Sequence, residues 1–318
     1  MISIWAPDGV GEVRRGDDLA THLLAATSGD ALADGDVVCV TSKVVSKAEG
    51  RVLAGDRADA IVRETRRLVA RRGPLSIVVN RLGLTMAAAG VDVSNVEPGH
   101  VLLLPEDPDR TARVLRTAVA ERVGANVAVL VTDTAGRAWR EGQTDIAIGA
   151  AGLRVLEDHI GRTDPYGNVL AVTAPAVADE LAGAAELAAG KLGRRPFVVV
   201  RGRADLVLPS GEDGPGAAGL LRPEGDDLFG LGSRQAVLTA LEGADDGRRA
   251  FGHPVEAAEL CAIVTSLTGA EAAVDGDAVS VVSRGARERW VAEVAAYAHG
   301  WRVAHAEPAR ILLRPSTR

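Results

Sequence analysis

The chain has 318 residues, 47% of them hydrophobic, and a formal net charge of −7. That length supports a substantial core in one large or two medium domains, and the acidic balance, with no basic stripe, excludes an electrostatic nucleic-acid binder. No apolar run approaches a membrane span, the opening residues lack the apolar core of a signal peptide, and two cysteines are too few for a disulfide framework or a cysteine-based zinc site.

The expectation is therefore a soluble cytoplasmic protein with neither nucleic-acid nor membrane partners. In chain order, Ser3-Ile4-Trp5 predicts a short strand and Pro7-Asp8-Gly9 a turn. Asp17 and Asp18 start a helix to about Thr27, with Leu19, Leu23 and Leu24 on one face. Residues 37–40 predict a strand in which Cys39 is a small buried residue. The strand runs into TSKVVSKAEGRV, residues 41–52. There Ser42, Lys43, Ser46 and Lys47 alternate around Val44-Val45, which predicts a continued extended segment. The plain alternative is an exposed edge strand with charged gatekeepers. Of the 36 basic residues only three are lysines: Lys43, Lys47 and Lys191. Against an arginine background, a lysine marks a place suited to a compact, flexible charge. Lys43 and Lys47 are thus candidate binders of phosphate or carboxylate.

Residues 59–72 predict a basic amphipathic helix with a solvated arginine face. The next strand is predicted over 75–79. Residues 81–99 then bring small-residue packing at Met86 to Gly90 and a polar cluster of Asp92, Ser94 and Asn95. That cluster reads either as an Asx turn or helix cap, or as an acidic metal ligand with polar neighbours. A strand over 101–104 and a helix over 109–123 lead to VAVLVTDTAGRAWREGQTDIAIGAAGL, residues 127–153. Its first five residues predict a buried strand that ends on Thr132-Asp133-Thr134, broken by Gly136 and continued as a polar loop from Arg137 to Asp145. A carboxylate flanked by hydroxyls past a buried strand is a common way to present metal or phosphate ligands.

Further on, Asp164 to Asn168 predict a turn between two strands, residues 176–191 an Ala-rich helix and residues 196–201 a strand. Residues 202–227, rich in Gly, Pro and acids, predict a long mobile or lid-like loop. A helix over 228–242 precedes a polar break at 243–252, where a domain boundary is placed. The remainder predicts helix 255–267, strand 278–283, helix 286–298, and strands 301–305 and 309–313, a small α/β appendage. No G-x-x-x-x-G-K-[ST] loop, no G-x-G-x-x-G after a strand and no G-x-S-x-G elbow occurs. The alternation of strands and helices by itself allows an ordinary open α/β sheet.

Asp92 and Asp133 are thus two acids in separate small-residue segments with hydroxyls beside them, and residues 42–47 supply lysine charge. Hard oxygen ligands with lysine suit magnesium or manganese holding a nucleotide phosphate, for phosphoryl transfer or carboxylate activation. A metal-dependent phosphatase or hydrolase could use the same acids, though no histidine lies in these motifs to serve as a base.

The chain also resembles the gamma-glutamyl ligases that add glutamate to coenzyme F-420, a deazaflavin. The segments that carry the resemblance are GEVRRGDDLA, VVCVTSKVVSKAEGRV, MAAAGVDVSNV, LLLPEDPD, VTDTAGRAWREGQTDIAIGAAGL, VADE, KLGRRPFVVVRG and GDDLFGLG, in order over residues 1 to about 245. The resemblance implies a ligase domain over 1–245, with residues 246–318 a small C-terminal domain of unassigned role. It implies an α+β fold of two intertwined lobes with mixed and antiparallel sheets, assembled as a homodimer. It also implies GTP as co-substrate, Mg2+ or Mn2+ in two ions, and L-glutamate joined to a deazaflavin precursor through an acyl phosphate. Asp92 and Asp133 would bind one metal ion and Thr134 a second. Ser42, Lys43, Lys47 and Asn95 would contact GTP, and Val10, Gly11, Glu12 and Val13 would line its pocket. Two departures stand out. Val10-Gly11 replaces a frequent Leu-Pro pair, and Lys191 stands where archaeal members have a metal-holding Gln. Many actinobacterial relatives carry a C-terminal flavin-binding reductase domain. Residues 246–318 are too few for one, so no FMN site is expected. A non-catalytic deazaflavin- or nucleotide-binding protein is the alternative of a different class, and retention of Asp92, Asp133 and Thr134 weighs against it.

Overall fold

The computed structural model describes residues 1–223 and 225–316. The chain divides into two compact units, Met1–Arg67 with Ile77–Leu221, and Leu68–Ser76 with Arg222–Arg318. In chain order the elements up to residue 221 are β1 (Ser3–Trp5), α1 (Leu19–Ala26), β2 (Val37–Thr41), α2 (Ser42–Ala48), β3 (Val52–Ala54), α3 (Arg57–Glu64), β4 (Thr65–Arg72), β5 (Leu75–Asn80), β6 (Thr85–Ala87), β7 (His100–Leu102), α4 (Pro108–Val123), β8 (Ala128–Arg137), β9 (Arg140–Ala151), α5 (Val177–Ala189) and β10 (Phe197–Arg201).

The central sheet has the order β1-β10-β2-β8-β9. Only β2 and β8 run parallel, with Val37 opposite Ala128 and Thr41 opposite Thr132. The other pairs are antiparallel. The sheet is therefore mixed and the fold α+β, not an open parallel sheet. Continuous apolar runs form its centre because both faces are covered. Strand periodicity sends Val38, Val40, Val129 and Val131 to one face, where they pack with Leu19, Leu23, Leu115 and Val119 of α1 and α4. Val37, Cys39, Ala128 and Leu130 go to the other, against Ala178, Leu181 and Ala182 of α5.

Four sequence expectations are corrected. The 42–47 segment is not extended: Ser42–Ala48 is a helix. Ser42, Val45 and Ser46 are its buried residues, and their i, i+3, i+4 spacing gives one inward face. The helix expected over 59–72 stops at Glu64. Asp56 caps α3 through the amides of Ala58 and Asp59, and Thr65 turns extended and starts β4. Strand pairing with β5 across a Gly73-Pro74 turn overrides the helical preference of the arginines. The polar loop after Gly136 is a β-hairpin. Gly136 pairs with Gln143, Ala135 with Thr144 and Thr134 with Asp145, and Trp139 and Gly142 take positive φ near the turn. Polarity is a poor guide there because backbone pairing needs no apolar side chain. Lastly, Asp164 to Asn168 do form a turn, but it is flanked by one isolated bridge, Thr163 with Val169, and not by two strands.

Within the 202–227 segment, residues 208–213 are held against α4. Buried Arg116 on α4 donates to the carbonyls of Leu208, Pro209 and Glu212 and to Asp213. It also donates to Val127 O and Asn126 Oδ1. Gly152, at φ +64°, lies so close that a Cβ there would sit 2.2 Å from Arg116 Nε. Truncating such a buried, fully paired charge costs about 3–5 kcal/mol.

The second unit holds α6 (Ser233–Glu242), α7 (Ala257–Thr268), β11 (Glu271–Asp275), β12 (Ala278–Val282), α8 (Ala286–Ala298), β13 (Trp301–Ala306) and β14 (Arg310–Pro315). Its antiparallel sheet has the order β11-β12-β14-β13. Leu260 and Val264 of α7, Ala292 and Ala296 of α8, and Val279, Val281, Trp301, Ile311 and Leu313 of the sheet form its core. The strand β11 has no clear sequence signal because EAAVD is short and only its pairing with β12 identifies it. Among the described residues no helix is long and apolar enough to cross a membrane.

Candidate functional site

The parallel pair β2 and β8 ends on Thr41 and Thr132, and the segments leaving the two strands meet each other. Past β2 the chain turns directly into α2. Its first residue, Ser42, donates from Oγ to Asp133 Oδ1 at 2.6 Å. Its second, Lys43, donates from Nζ to Asp92 Oδ2 and to Ser94 Oγ. Two consecutive helix residues thus hold two acids that lie 41 positions apart in the chain. The Asp92 turn is self-supporting. Its Oδ1 accepts the amides of Val93 at 2.7 Å and Ser94 at 2.9 Å, and its backbone pairs with Leu102 of β7. The Asx turn and the metal-ligand readings of 92–95 therefore coexist in one geometry.

Register separates Asp133 from its neighbours. A bulge between Val131 and Thr132 precedes it, a placement that often re-aims a side chain beside a site. Asp133 turns toward α2, while Thr132 and Thr134 turn to the opposite face and donate to Asp145 of β9 at 3.1 and 2.7 Å. Lys191, just beyond α5, donates to Thr134 Oγ1 at 2.7 Å and lies 3.7 Å from Glu186.

These groups share one electrostatic environment. Burial pushes the Asp133 carboxyl up to about 6. The hydroxyl of Ser42 pulls it back, and the charges of Asp145 and Asp92 push it further up. Burial likewise raises Glu186, and the charge of Asp145 adds to it. Asp92 goes the other way. Burial would raise it, but the hydrogen bonds from Lys43 and Ser94 outweigh that and hold it at about 2. Four acids and two lysines therefore meet where negative charge is incompletely neutralised. Oxygen donors with residual negative charge fit a hard divalent cation. Among the described residues, however, no three His, Cys, Asp or Glu side chains form a ready cage. An ion there would draw on hydroxyls and on substrate oxygens as well.

Beside the acids lies a cleft of about 630 Å3. It is lined by Glu12, Val13, Lys47 and Asn95, together with Arg14 and Arg15. The first four come from segments up to 83 positions apart. Lys47 pairs with Glu12 across the cleft and, with Arg194 at 3.8 Å, keeps that carboxyl below its ordinary range. Of the remaining residues expected to contact a nucleotide, Ser42 and Lys43 stand at the acids. Val10 packs against the core beneath, and Gly11 stands in open space.

Sequence reasoning places Asp145 in a loop without a role and assigns nothing to Glu186, Arg14, Arg15, Glu97 or His100. Asp145 and Glu186 can be found only through the β8–β9 register and the end of α5. The arginines carry no signal in an arginine-rich chain.

Comparison with known proteins gives a consistent picture. A family model described as F420-0:gamma-glutamyl ligase matches residues 9–202. The chain is 44% identical over 213 residues to a coenzyme F420:L-glutamate ligase of Methanopyrus kandleri, covering 60% of this chain and 83% of that protein. It is 38% identical over 222 residues to one of Archaeoglobus fulgidus (63% and 88%). Over 251 residues it is 35% identical to one of Methanothermobacter thermautotrophicus (72% and 98%).

Proposed function

The chain belongs to the F420-0:gamma-glutamyl ligase family, and we propose that it joins L-glutamate to the terminal carboxylate of the unglutamylated coenzyme F-420 precursor at the expense of GTP. A carboxylate oxygen of the precursor attacks the γ-phosphorus, GDP leaves, and an acyl phosphate forms. The amine of glutamate then attacks the acyl carbon, loses a proton, and expels phosphate as the amide forms. The substrate carboxylate is its own nucleophile, so no nucleophilic side chain is needed. The protein's task is positioning and charge.

One observation carries this reading: consecutive residues Ser42 and Lys43 tie Asp133 and Asp92 together next to a cleft that Lys47 and Asn95 line. Lys43 supplies positive charge beside the acids, and Lys47, one turn further along α2, supplies it inside the cleft for phosphate oxygens. Glu12 holds Lys47 in place until a phosphate competes for it. Asp92, Asp133 and Thr134 would hold the divalent ions, Mg2+ or Mn2+, which when bound neutralise charge on the transferring phosphoryl group. At Thr134 the Lys191 ammonium already occupies one hydrogen-bonding position.

The test is direct. The chain is incubated with unglutamylated coenzyme, L-glutamate, GTP and Mn2+, and the product is weighed by mass spectrometry. A mass gain of one or more glutamyl residues with matching GDP is the expected result. GDP release with no glutamate adduct would make the protein a phosphohydrolase instead.

A further inference from the structure

The cleft beside the acids has two chemically different ends. Asp92 pairs through its backbone with Leu102 of β7, so the acids mark one end. Along α2, Lys47 lies about 6 Å beyond Lys43, and along β7, His100 lies about 7 Å from Leu102. Both displacements lead away from the acids into the cleft, and His100 and Glu97 line it. A tight turn ties them together. In Glu97-Pro98-Gly99-His100 the amide of His100 donates to Glu97 O at 3.0 Å, and Gly99 has φ +83°. Proline second and a positive-φ glycine third are the requirements of a type II turn.

The Glu97 carboxylate is exposed in the cleft and free of hydrogen bonds and ion pairs among the described residues, whereas the cleft's other acid flanking Lys47, Glu12, is already paired. An acceptor-only carboxylate suits a ligand edge with two parallel donors. Guanine has such an edge in its N1–H and its N2 amino group. Adenine offers a lone pair at N1, which would face the carboxylate oxygens and be repelled.

We infer that the turn at residues 97–100 forms the base-recognition end of the cleft, with Glu97 accepting from the N1–H and N2 amino group of guanine. This rests on the proposed nucleotide reading of the cleft. It assigns the choice of guanine over adenine to one turn that contributes nothing to the acid cluster.

The experiment is calorimetric titration of the full chain with GDP, ADP and xanthosine diphosphate in the presence of Mg2+. Glu97→Gln is compared with wild type, and thermal melting by circular dichroism confirms that the variant folds. Wild type is expected to prefer GDP over ADP. Glu97→Gln should lower that preference at least ~10-fold, the effect of one good bidentate base contact. The new amide can donate to the C2 carbonyl of xanthine, so affinity for xanthosine diphosphate should rise. A merely structural role for Glu97 would not produce that gain. An unchanged GDP-to-ADP ratio in the variant, or a reduced ratio without the gain for xanthosine diphosphate, overturns the assignment while leaving the cleft a guanine-nucleotide site. Wild type that binds both equally overturns the assignment, and wild type that binds neither GDP nor ADP overturns the nucleotide reading itself.

Discussion

Polar side chains at the ends of β2 and β8 are gathered inward, where Ser42, Asp133, Thr132 and Asp145 share hydrogen bonds and charge. In the antiparallel sheet of the second unit the arginines are turned outward. Arg302, Arg310 and Arg314 are exposed, and their cross-strand register places them on the face opposite Trp301, Ile311 and Leu313. Both sheets obey the same two-residue alternation, yet only the first, among the described residues, places carboxylates at buried positions, where the charges of Asp145 and Asp92 push Asp133 up. Burying unneutralised charge opposes folding. A fold keeps it where a ligand will complete the neutralisation. The second sheet shows the same alternation with its arginines left to solvent.

If that contrast is right, single substitutions in the two sheets should fail in different ways. The largest effect is expected for Asp133→Asn, which keeps the size and an acceptor for Ser42 but removes the charge. Turnover should fall by about 10²–10³ or more, as for other lost electrostatic contacts to a reacting group, with the melting temperature within a few degrees of wild type. Product formation within a few-fold of wild type would break the comparison. Next comes Trp301→Ala in the second sheet. Trp301 is 2% exposed, and its Nε1 donates to Val255 O at 2.9 Å. The loss should be about 3–5 kcal/mol of stability in that unit, read as an earlier denaturant transition. A melting profile indistinguishable from wild type would show that the second core is not organised around this ring.

The smallest effect concerns a residue that belongs to neither role. Burial raises the Cys39 thiol to about 12, and the charge of Asp145 adds to the shift. Burial disfavours the thiolate, so Cys39 should stay a thiol at neutral and mildly alkaline pH. Titration of the native chain with a thiol reagent at pH 8 should consume only partly exposed Cys261. A denatured sample should consume both cysteines. Rapid native reaction of two thiols would show that β2 opens far more readily than its burial implies.

Much of this molecule is legible in its sequence. The buried strands at 37–40, 127–131 and 197–200, and the helices α1, α4, α5, α7 and α8, come from apolar spacing and caps, because burial imposes its period on the side chains. The three lysines, and the polar clusters at Asp92 and Asp133, are visible because their chemistry is unusual against their surroundings. What tertiary structure alone decided is pairing. Nothing local says that SKVVSKA winds into a helix so that Ser42 and Lys43 can each reach a different acid. Nothing local makes the polar run after Gly136 a strand whose register carries Asp145 back to Thr132 and Thr134. Nor does the tetrapeptide EPGH reveal that its acid and its histidine line the same cleft as Lys47, half a hundred positions earlier. Periodicity records which side of an element is buried. It cannot record what stands on the far side of the contact, because that partner is set by long-range packing and register, to which each local sequence contributes only half.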